Sequence, residues 1–284
     1  MGGRPGGRFE RYVAIGDSST EGLDDPDGRG GFRGWADRLA DQVAATGGGL
    51  LYANLAIRGR RTREILDEQL APALAMRPDL ATLFAGTNDV VARDFDAAAV
   101  TGDIATMQRA LVDTGATVLT FTLPDLASVM PMARRIGPRL RDLNARLREV
   151  AAGNGVRLVD FEEHPVAGDP RLWSDDRLHA NAAGHARIAA ALAEALDLPR
   201  SDGSWREPLP PLPAPGPLDA ARREVVWFRR YFVPWLWRHA RGRSSGDGRT
   251  AKRPELRPVE GFRVAIEPLP IPGEPSSSRR SPGP

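Results

Sequence analysis

The chain has 284 residues, with no cysteine, 25 prolines, 30 glycines and a formal net charge of +2. This length is enough for one large hydrophobic core or for two small ones. The lack of cysteine excludes a disulfide framework, a thiol nucleophile and any zinc or iron–sulfur site built on cysteine. With only 4 histidines, a metal centre made of several of them is not predicted either, and we expect no cofactor.

The hydropathy of the chain predicts a cytoplasmic protein. Residues 1–8 carry positive charge but no apolar segment of the kind found in secretory signals. No apolar run approaches the roughly 20 residues that are needed to span a bilayer. Cytoplasmic residence is therefore the expectation for the globular part of the chain.

An uneven charge distribution marks a boundary near Pro199. From Pro199 onward there are 16 Lys and Arg against 9 Asp and Glu, and this segment also holds 16 of the prolines. The preceding residues carry 23 basic against 28 acidic side chains, so the globular part is mildly acidic. A basic excess confined to a tail does not favour nucleic acid as a partner. We predict a flexible N-terminus at 1–10, a globular domain at 11–198 and a separate tail.

Short apolar runs alternate with amphipathic stretches throughout the globular part. Strand-like runs lie at 12–15, 50–55, 80–85, 117–122 and 156–161. Apolar residues at helical spacing lie at 35–43, 65–74, 104–112, 140–150 and 182–196. Five strands that alternate with helices predict an α/β fold with a parallel sheet covered on both faces.

Polar residues stand where the predicted strands give way to loops. Gly16–Gly22, Asn54–Gly59 and Gly86–Asp89 follow the first three strands, and Asp176–His179 comes shortly before the last helix. Ligands of parallel sheets bind beyond the carboxyl ends of the strands. We therefore expect these four segments to meet at one pocket.

The residue types in these segments suit acyl transfer to a serine. A serine hydroxyl becomes nucleophilic when a base such as His179 removes its proton, and a carboxylate such as Asp176 can orient the imidazole. The tetrahedral intermediate carries a negative oxygen that needs fixed donors. The backbone N–H groups of Ser18 and Gly59 and the side-chain amide of Asn88 could supply three of them.

Together these segments resemble the four motif blocks of the GDSL/SGNH hydrolase superfamily, in the same order and with similar spacing, over about residues 11–197. The resemblance implies that Ser18 is the nucleophile, His179 the base and Asp176 its orienting acid. It also implies an oxyanion hole formed by Ser18, Gly59 and Asn88. The fold it implies is flavodoxin-like, a three-layer α/β/α sandwich with a five-stranded parallel sheet.

One residue departs from the motif that gives the superfamily its name. Ser19 stands where that motif has leucine, which makes Ser19 an alternative nucleophile, although the family's serine directly follows Gly-Asp as Ser18 does here. Asp17 and Asp89 are alternative acids, but stabilisation of turns is the simpler interpretation of both. His185 is expected on a different helix face from His179 and partly exposed.

The loop after the fourth predicted strand is a candidate for substrate contact. Val129, Met130 and Met132 could line a groove for the acyl chain, since methionine adapts to varied apolar shapes; ordinary packing under the loop is the alternative. The sequence thus predicts a serine hydrolase of a small carboxylic ester. The alternative function is a non-catalytic scaffold of the same fold whose tail binds a membrane surface or a protein.

The tail has three predicted parts: a proline-rich linker at 199–217, a basic aromatic amphipathic helix at 218–243, and a mostly disordered segment at 244–284 with a short extended piece at Phe262–Ile266. A helix of this composition can lie on an anionic membrane surface as a peripheral contact. Docking of its apolar face on the globular domain, or binding to a partner protein, are the alternatives.

Overall fold

A single six-stranded sheet forms the centre of the protein. The structure is a computed structural model that describes residues 9–47, 49–125, 127, 129–130, 134–211, 216–234, 237 and 245–259. The strands are β1 (Arg11–Gly16), β2 (Leu51–Asn54), β3 (Leu80–Phe84), β4 (Thr117–Phe121), β5 (Arg157–Val159) and β6 (Arg253–Pro258). Their order across the sheet is β5-β4-β3-β1-β2-β6.

The first five strands pair in parallel, as the sequence predicts. Strands β1 and β3 are neighbours at the centre, with Tyr12 opposite Leu80 and Gly16 opposite Phe84. Every residue of β3 is buried, as are the residues of β1 after Arg11. This burial explains why the two strands read as continuous apolar runs instead of alternating ones.

Helices cover both faces of the sheet. They are α1 (Ser18–Glu21), α2 (Gly34–Gly47), α3 (Thr62–Ala75), α4 (Thr87–Val90), α5 (Ala97–Asp113), α6 (Gly137–Asn154), α7 (Ala182–Ala195) and α8 (Pro217–Trp227). Helix α2 packs against α7, whereas α5 packs against both α3 and α6. The two groups flank the sheet and form the α/β/α sandwich that the sequence predicts.

The sheet has one strand more than predicted, and it comes from the tail. Strand β6 pairs antiparallel with β2, so the sheet is mixed and not purely parallel. The expectation of mostly disordered chain over 244–284 is therefore wrong at residues 253–258. This segment contains Pro254 and Pro258, and proline is unfavourable in strands because it has no backbone N–H to donate. An edge strand tolerates proline, since the backbone groups on its outer side have no neighbouring strand to bond.

The segment after Pro199 also contributes to the core. Residues Gly203–Arg206 form a short 3-10 helix, and Trp205 is only 2% exposed and lies edge-on to Phe161. The predicted linker at 199–217 is thus wrong at this point, and the core extends past the predicted domain boundary at 198.

Two predictions fall outside the described residues, namely the flexible N-terminus up to residue 8 and the extended piece at Phe262–Ile266. Glu10, by contrast, is tied to the sheet, since its backbone N–H donates to Asp79 Oδ2 at 2.8 Å. None of the helices in the described ranges combines the length and the apolar character that a bilayer crossing requires.

Candidate active site

Ser18 is the first residue of α1, directly after the central strand β1. The backbone leaves the sheet at Gly16, and the Asp17 side chain caps α1 by accepting the backbone N–H of Ser19 at 3.0 Å. An N-cap of this kind fixes the first helical turn. The Ser18 side chain therefore projects from the carboxyl edge of the sheet, where it is 9% exposed.

His179 lies within hydrogen-bond distance of Ser18. The distance from His179 Nε2 to Ser18 Oγ is 2.9 Å, and the distance from His179 Nδ1 to Asp176 Oδ2 is 2.6 Å. An ionised carboxylate can only accept, so Nδ1 carries the proton and Nε2 presents its lone pair to the Ser18 hydroxyl. The structure thus brings together the three residues that the sequence singled out.

A tight turn holds Asp176 and His179. Trp173 and Ala180 form an isolated antiparallel bridge, and the N–H of Ser174 donates to the His179 carbonyl at 2.8 Å. Inside the turn, Asp176 Oδ1 accepts the Ser174 hydroxyl at 2.6 Å and the backbone N–H of His179 at 3.0 Å. The carboxylate is thereby fixed by its own turn before it contacts the imidazole.

The two partners shift each other's pKa. Burial alone lowers the pKa of His179, but the hydrogen bond and the charge of Asp176 outweigh burial and raise it above its usual value. Burial alone raises the pKa of Asp176, but the hydrogen bonds from His179 and Ser174 outweigh burial and hold this pKa well below its usual range. The pair therefore favours an ionised carboxylate beside an imidazole whose protonated form is stabilised.

Asn88 connects the two remaining motif loops. Its Nδ2 donates to the Arg60 carbonyl at 3.0 Å and approaches Asp17 Oδ2 at 3.4 Å. Ser18 and Asn88 line the same cavity as His179, whereas Gly59 is not among the residues that line it. Gly59 adopts φ +76°, a left-handed conformation that favours glycine, in the turn next to Arg60.

The alternative nucleophile has another partner. Ser19 Oγ accepts the indole N–H of Trp35 at 3.2 Å. The alternative acids are also engaged in local structure, since Asp17 caps α1 and Asp89 Oδ2 accepts both the backbone N–H (2.9 Å) and the hydroxyl (2.7 Å) of Thr62 at the start of α3. These contacts agree with the interpretation of both aspartates as residues that stabilise turns.

A mostly apolar cavity of about 110 Å³ lies beside Ser18. Met130 lines it, as the sequence predicts. Val129 does not line this cavity: it is buried and faces a second cavity, next to α8. Met132 lies outside the described residues. The other apolar residues of the wall include Phe84, Val90, Phe121, Leu140, Phe161 and Trp205.

Two features of the surroundings were not foreseen from the sequence. His185 is fully buried and not partly exposed; its Nδ1 accepts the N–H of Trp35 at 3.1 Å and its Nε2 donates to the Leu23 carbonyl at 2.9 Å. Burial lowers the pKa of His185 to about 4, so it is neutral and structural. Burial also raises the pKa of Asp17 to about 7, which follows from its position beneath the site.

The acidic groups near His179 do not fit a metal ion. Asp24, Asp176 and His179 are the three ligand-type residues that approach one another among the described residues. However, both ring nitrogens of His179 are engaged, one with Asp176 and the other with Ser18. Nδ1 carries a proton and cannot bind a cation, and Nε2 contacts the Ser18 hydroxyl. The imidazole is therefore not free to act as a metal ligand beside the two carboxylates.

The tail helix docks on the turn that holds Asp176. Helix α8 continues as a π-helical turn over Phe228–Phe232. Trp227 is 7% exposed, and its indole N–H donates to the Asp176 carbonyl at 3.0 Å. Of the alternatives for this helix, docking on the globular domain is therefore the one seen in the structure. Membrane contact stays a prediction.

Comparison with known families assigns the chain to one of them. The sequence model of the GDSL-like lipase/acylhydrolase family matches residues 14–187, which is more than half of the chain. The chain belongs to this family, and the resemblance found in the motifs is confirmed. Comparison with curated protein sequences finds no match.

Solved structures share the fold at low sequence identity. A lipase/acylhydrolase from Enterococcus faecalis is 22% identical, with a TM-score of 0.56, and the match covers 68% of this chain and 98% of that one. The psychrotrophic esterase EstA from Pseudoalteromonas sp. is 18% identical, with a TM-score of 0.52 and coverage of 66% and 97%. An acetylxylan esterase from Geobacillus stearothermophilus is 18% identical, with a TM-score of 0.54 and coverage of 67% and 95%.

Proposed function

We propose that this protein is a serine esterase that hydrolyses carboxylic esters through an acyl intermediate on Ser18. The observation that carries this proposal is the continuous hydrogen-bonded series from Ser18 Oγ through the His179 ring to Asp176, at 2.9 and 2.6 Å. A nucleophile, a base and an orienting acid in contact are the elements needed to activate a serine. Membership of a family of lipases and acylhydrolases supports the same reaction class.

In the first half of the reaction, His179 Nε2 takes the hydroxyl proton of Ser18 while Ser18 Oγ attacks the ester carbonyl carbon. The carbonyl oxygen becomes negatively charged, and the imidazolium formed on His179 is stabilised by the ionised Asp176. The imidazolium then gives its proton to the oxygen of the leaving alcohol. The carbon–oxygen bond breaks, the alcohol departs and the acyl group stays on Ser18.

In the second half, a water molecule takes the place of the alcohol. His179 accepts a proton from this water, and the resulting oxygen attacks the acyl carbon. The same imidazolium returns its proton to Ser18 Oγ as the bond to the acyl group breaks. The products are a carboxylic acid and the original enzyme, so each proton that His179 takes is given back within the same half of the reaction.

The negative oxygen needs donors that are in place beforehand. We assign this role to the backbone N–H of Ser18 and to the side-chain amide of Asn88. Because Ser18 is the first residue of α1, its N–H has no acceptor within the helix. One Asn88 N–H is committed to the Arg60 carbonyl, while the other makes only a long contact to Asp17, at 3.4 Å. The assignment of the backbone N–H of Gly59 as the third donor rests on the family resemblance, since Gly59 lies in the adjacent turn and does not line the cavity.

The cavity favours an ester with an apolar acyl group. Its wall is built of aromatic and aliphatic side chains, and the ionisable groups that line it are Asp17, His179 and Arg187. Burial of apolar surface contributes about 25 cal/mol per Å², so each methylene of a fitting chain adds to binding. We therefore assign esters of short to medium aliphatic acids as the preferred substrates over esters of strongly polar acids.

Hydrolysis of p-nitrophenyl butyrate by the full chain tests the proposal. We expect turnover by the wild-type protein and a loss of at least a thousandfold in Ser18→Ala. An ethylphosphonate ester of p-nitrophenol should attach covalently to Ser18 with release of p-nitrophenol; we choose this probe because the Pseudoalteromonas esterase is inhibited by monoethylphosphonate. Mass spectrometry of the labelled peptide identifies the modified serine.

Ser19→Ala is the matched control for this experiment, because Ser19 is adjacent in sequence but contacts Trp35. We expect Ser19→Ala to retain activity within a few fold of wild type and to be labelled at Ser18. An inactive wild-type protein, or activity that persists in Ser18→Ala and disappears in Ser19→Ala, would contradict the assignment.

The second candidate function is binding of the tail to an anionic membrane surface. Large apolar side chains of the tail stay exposed although the helix is docked: Val225 is 57% exposed, Phe228 48% and Trp237 60%. Exposed arginines lie among them, at Arg222, Arg223, Arg229 and Arg230. This combination of apolar and basic side chains suits a bilayer with anionic head groups.

Co-sedimentation of the full chain with vesicles tests this second candidate. We expect binding to vesicles containing phosphatidylglycerol, weaker binding at high salt, and little binding to pure phosphatidylcholine. The double variant Val225→Ser/Trp237→Ser should bind less, while Glu255→Gln on β6 serves as the control. If the protein co-sediments equally with both kinds of vesicle, or with neither, binding of the tail to an anionic membrane surface is contradicted.

A further inference from the structure

The turn that holds Asp176 and His179 contains a residue in an unfavourable backbone conformation. Arg177 has φ +63°, in the left-handed region that residues with a side chain seldom adopt. In the sequence, Arg177 follows Asp176 and is separated from His179 by one residue, Leu178. A turn with such a residue needs contacts from outside to stay in one geometry.

Helix α8 supplies contacts to both residues at the apex of this turn. The Trp227 indole N–H donates to the Asp176 carbonyl at 3.0 Å. The Arg177 guanidinium lies over the Trp227 ring, 4.9 Å from its centroid. One side chain of the tail thus holds the main chain of Asp176 and the side chain of its neighbour at the same time.

An ion pair adds a second point of attachment. The two terminal nitrogens of Arg177 donate to the two carboxylate oxygens of Glu224, at 2.9 and 2.7 Å. The hydrogen bonds and positive charge of Arg177 hold the pKa of Glu224 below its usual value, so the carboxylate is ionised near neutral pH. A bidentate pair of this type fixes orientation as well as distance.

We propose that Trp227 and Glu224 are positioning residues for the proposed active site. They hold the Asp176–His179 turn from outside so that the imidazole reaches both Ser18 and Asp176. This inference rests on the proposed function, because Trp227 and Glu224 contact the turn that carries Asp176 and His179, two of the three residues to which we assign the reaction. Neither residue touches the substrate cavity, and both lie beyond residue 187, where the match to the family ends.

The mechanism predicts a specific signature. If the turn relaxes, the contact from Asp176 to His179 lengthens, and the largest contribution that raises the pKa of His179 weakens, while the charges of Asp24 and Asp17 still favour the imidazolium. The acid limb of the kcat profile would then move down toward the ordinary histidine value of about 6.5. A change that only destabilised the fold would lower the amount of active protein without moving this limb.

The test uses the full chain with Trp227→Phe, which keeps an aromatic ring but loses the N–H donor, and with Glu224→Gln, which loses the charge of the ion pair. We expect kcat on p-nitrophenyl butyrate to fall about three- to tenfold in each, with KM nearly unchanged and the acid limb at lower pH. Ala221→Ser, at an exposed position on the same helix, is the matched control and should behave as wild type.

The possible outcomes separate this inference from the proposed function. An inactive wild-type protein would defeat the proposed function itself. An active wild type whose kcat and acid limb are unaltered in both variants would overturn the positioning role alone. A lower kcat with an unmoved limb would also overturn it, because the loss would then come from something other than the geometry of the His179–Asp176 contact.

Discussion

Asp176 and His179 are joined twice within one turn, by the 2.6 Å contact between their side chains and by the 3.0 Å bond from the His179 backbone N–H to Asp176 Oδ1. Because the second bond belongs to the backbone, the geometry of the turn sets the distance between the carboxylate and the base. The orientation of the imidazole toward Ser18 therefore depends on the geometry of this turn, which α8 contacts from outside through Trp227 and Glu224.

Asp176→Asn tests the electrostatic part of this relationship. The amide is nearly isosteric, so the turn should keep its shape, but an amide nitrogen facing Nδ1 favours the wrong tautomer of His179. We expect kcat to fall by about a thousandfold or more, with KM changed by less than threefold. Steady-state kinetics on p-nitrophenyl butyrate measures both. A loss below tenfold would mean that Asp176 does not orient the base.

The pH profile tests the shifted pKa of His179. Since the base must be neutral to accept the Ser18 proton, activity is lost as the pH falls through the pKa of His179. Asp176 raises this pKa above its usual value, so the midpoint of the acid limb of kcat/KM should lie above about 6.5. A midpoint clearly below that value would contradict the proposed pairing.

Asp17→Asn should stabilise the protein in a pH-dependent manner. Burial raises the pKa of Asp17 to about 7, against 3.8 ordinarily, so between these values the unfolded chain releases a proton that the folded protein keeps. The stability of the wild type therefore falls as the pH rises from about 4 to about 7. Asparagine keeps the oxygen that caps Ser19 and carries no charge at any pH.

Urea unfolding at pH 5 and pH 8 measures this effect. We expect Asp17→Asn to gain on the order of 2 kcal/mol over wild type at pH 8 and less at pH 5. Asp27→Asn, an exposed aspartate in the loop before α2, is the control for a general loss of negative charge. A variant that is less stable than wild type at pH 8 would show that the surroundings of Asp17 stabilise its ionised carboxylate, which contradicts the raised pKa.

Met130→Gln tests the apolar cavity as the site of the acyl chain. The substitution keeps the length of the side chain but places an amide against the chain of the substrate. We expect kcat/KM on p-nitrophenyl octanoate to fall about tenfold more than on the acetate. Val129→Thr, in the same loop but facing the second cavity, is the matched control. Equal losses on both esters in Met130→Gln would remove Met130 from the acyl site.

The residues of the site were predictable because each motif lies at the end of an apolar run. Ser18 follows β1 and Asn88 follows β3, and the parallel sheet brings such ends to one edge whatever the length of the intervening helices. Asp176 and His179 were predictable for a different reason, since side chains three residues apart can meet across one turn. In both cases the relevant contacts are local or are imposed by the topology.

Docking of the tail helix was one of three alternatives in the sequence analysis, but its individual contacts could not be predicted, because they join residues far apart in the chain. Trp205 and Trp227 lie in segments rich in proline or arginine, and neither composition reveals a buried indole. His185 appeared to be a surface residue because an imidazole is polar, and only its two backbone partners, Trp35 and Leu23, allow it to be buried. Strand β6 depends likewise on the free edge of β2, which the sequence of β6 does not encode.

Lys252 provides a test of whether β6 is an integral part of the fold. Its ammonium group donates to the carbonyls of Phe32 (3.0 Å) and Arg33 (2.7 Å), and lies 2.9 Å from Asp37 Oδ1. Burial raises the pKa of Asp37, and the charge of Lys252 opposes that rise. Removing the ammonium group therefore leaves a partly buried carboxylate and two carbonyls without this donor.

We expect Lys252→Met to lower the free energy of unfolding by about 1–3 kcal/mol at pH 7, and to speed hydrogen exchange at the backbone amides of β6. The reason is that methionine keeps the aliphatic stem but cannot satisfy the three oxygens. Glu255→Gln, on the same strand but exposed, should leave both measurements unchanged. If exchange over residues 253–258 is already at the rate of an unstructured chain in the wild type, then β6 does not form in solution, and the tail would have to reach the Asp176 turn without being anchored to the sheet.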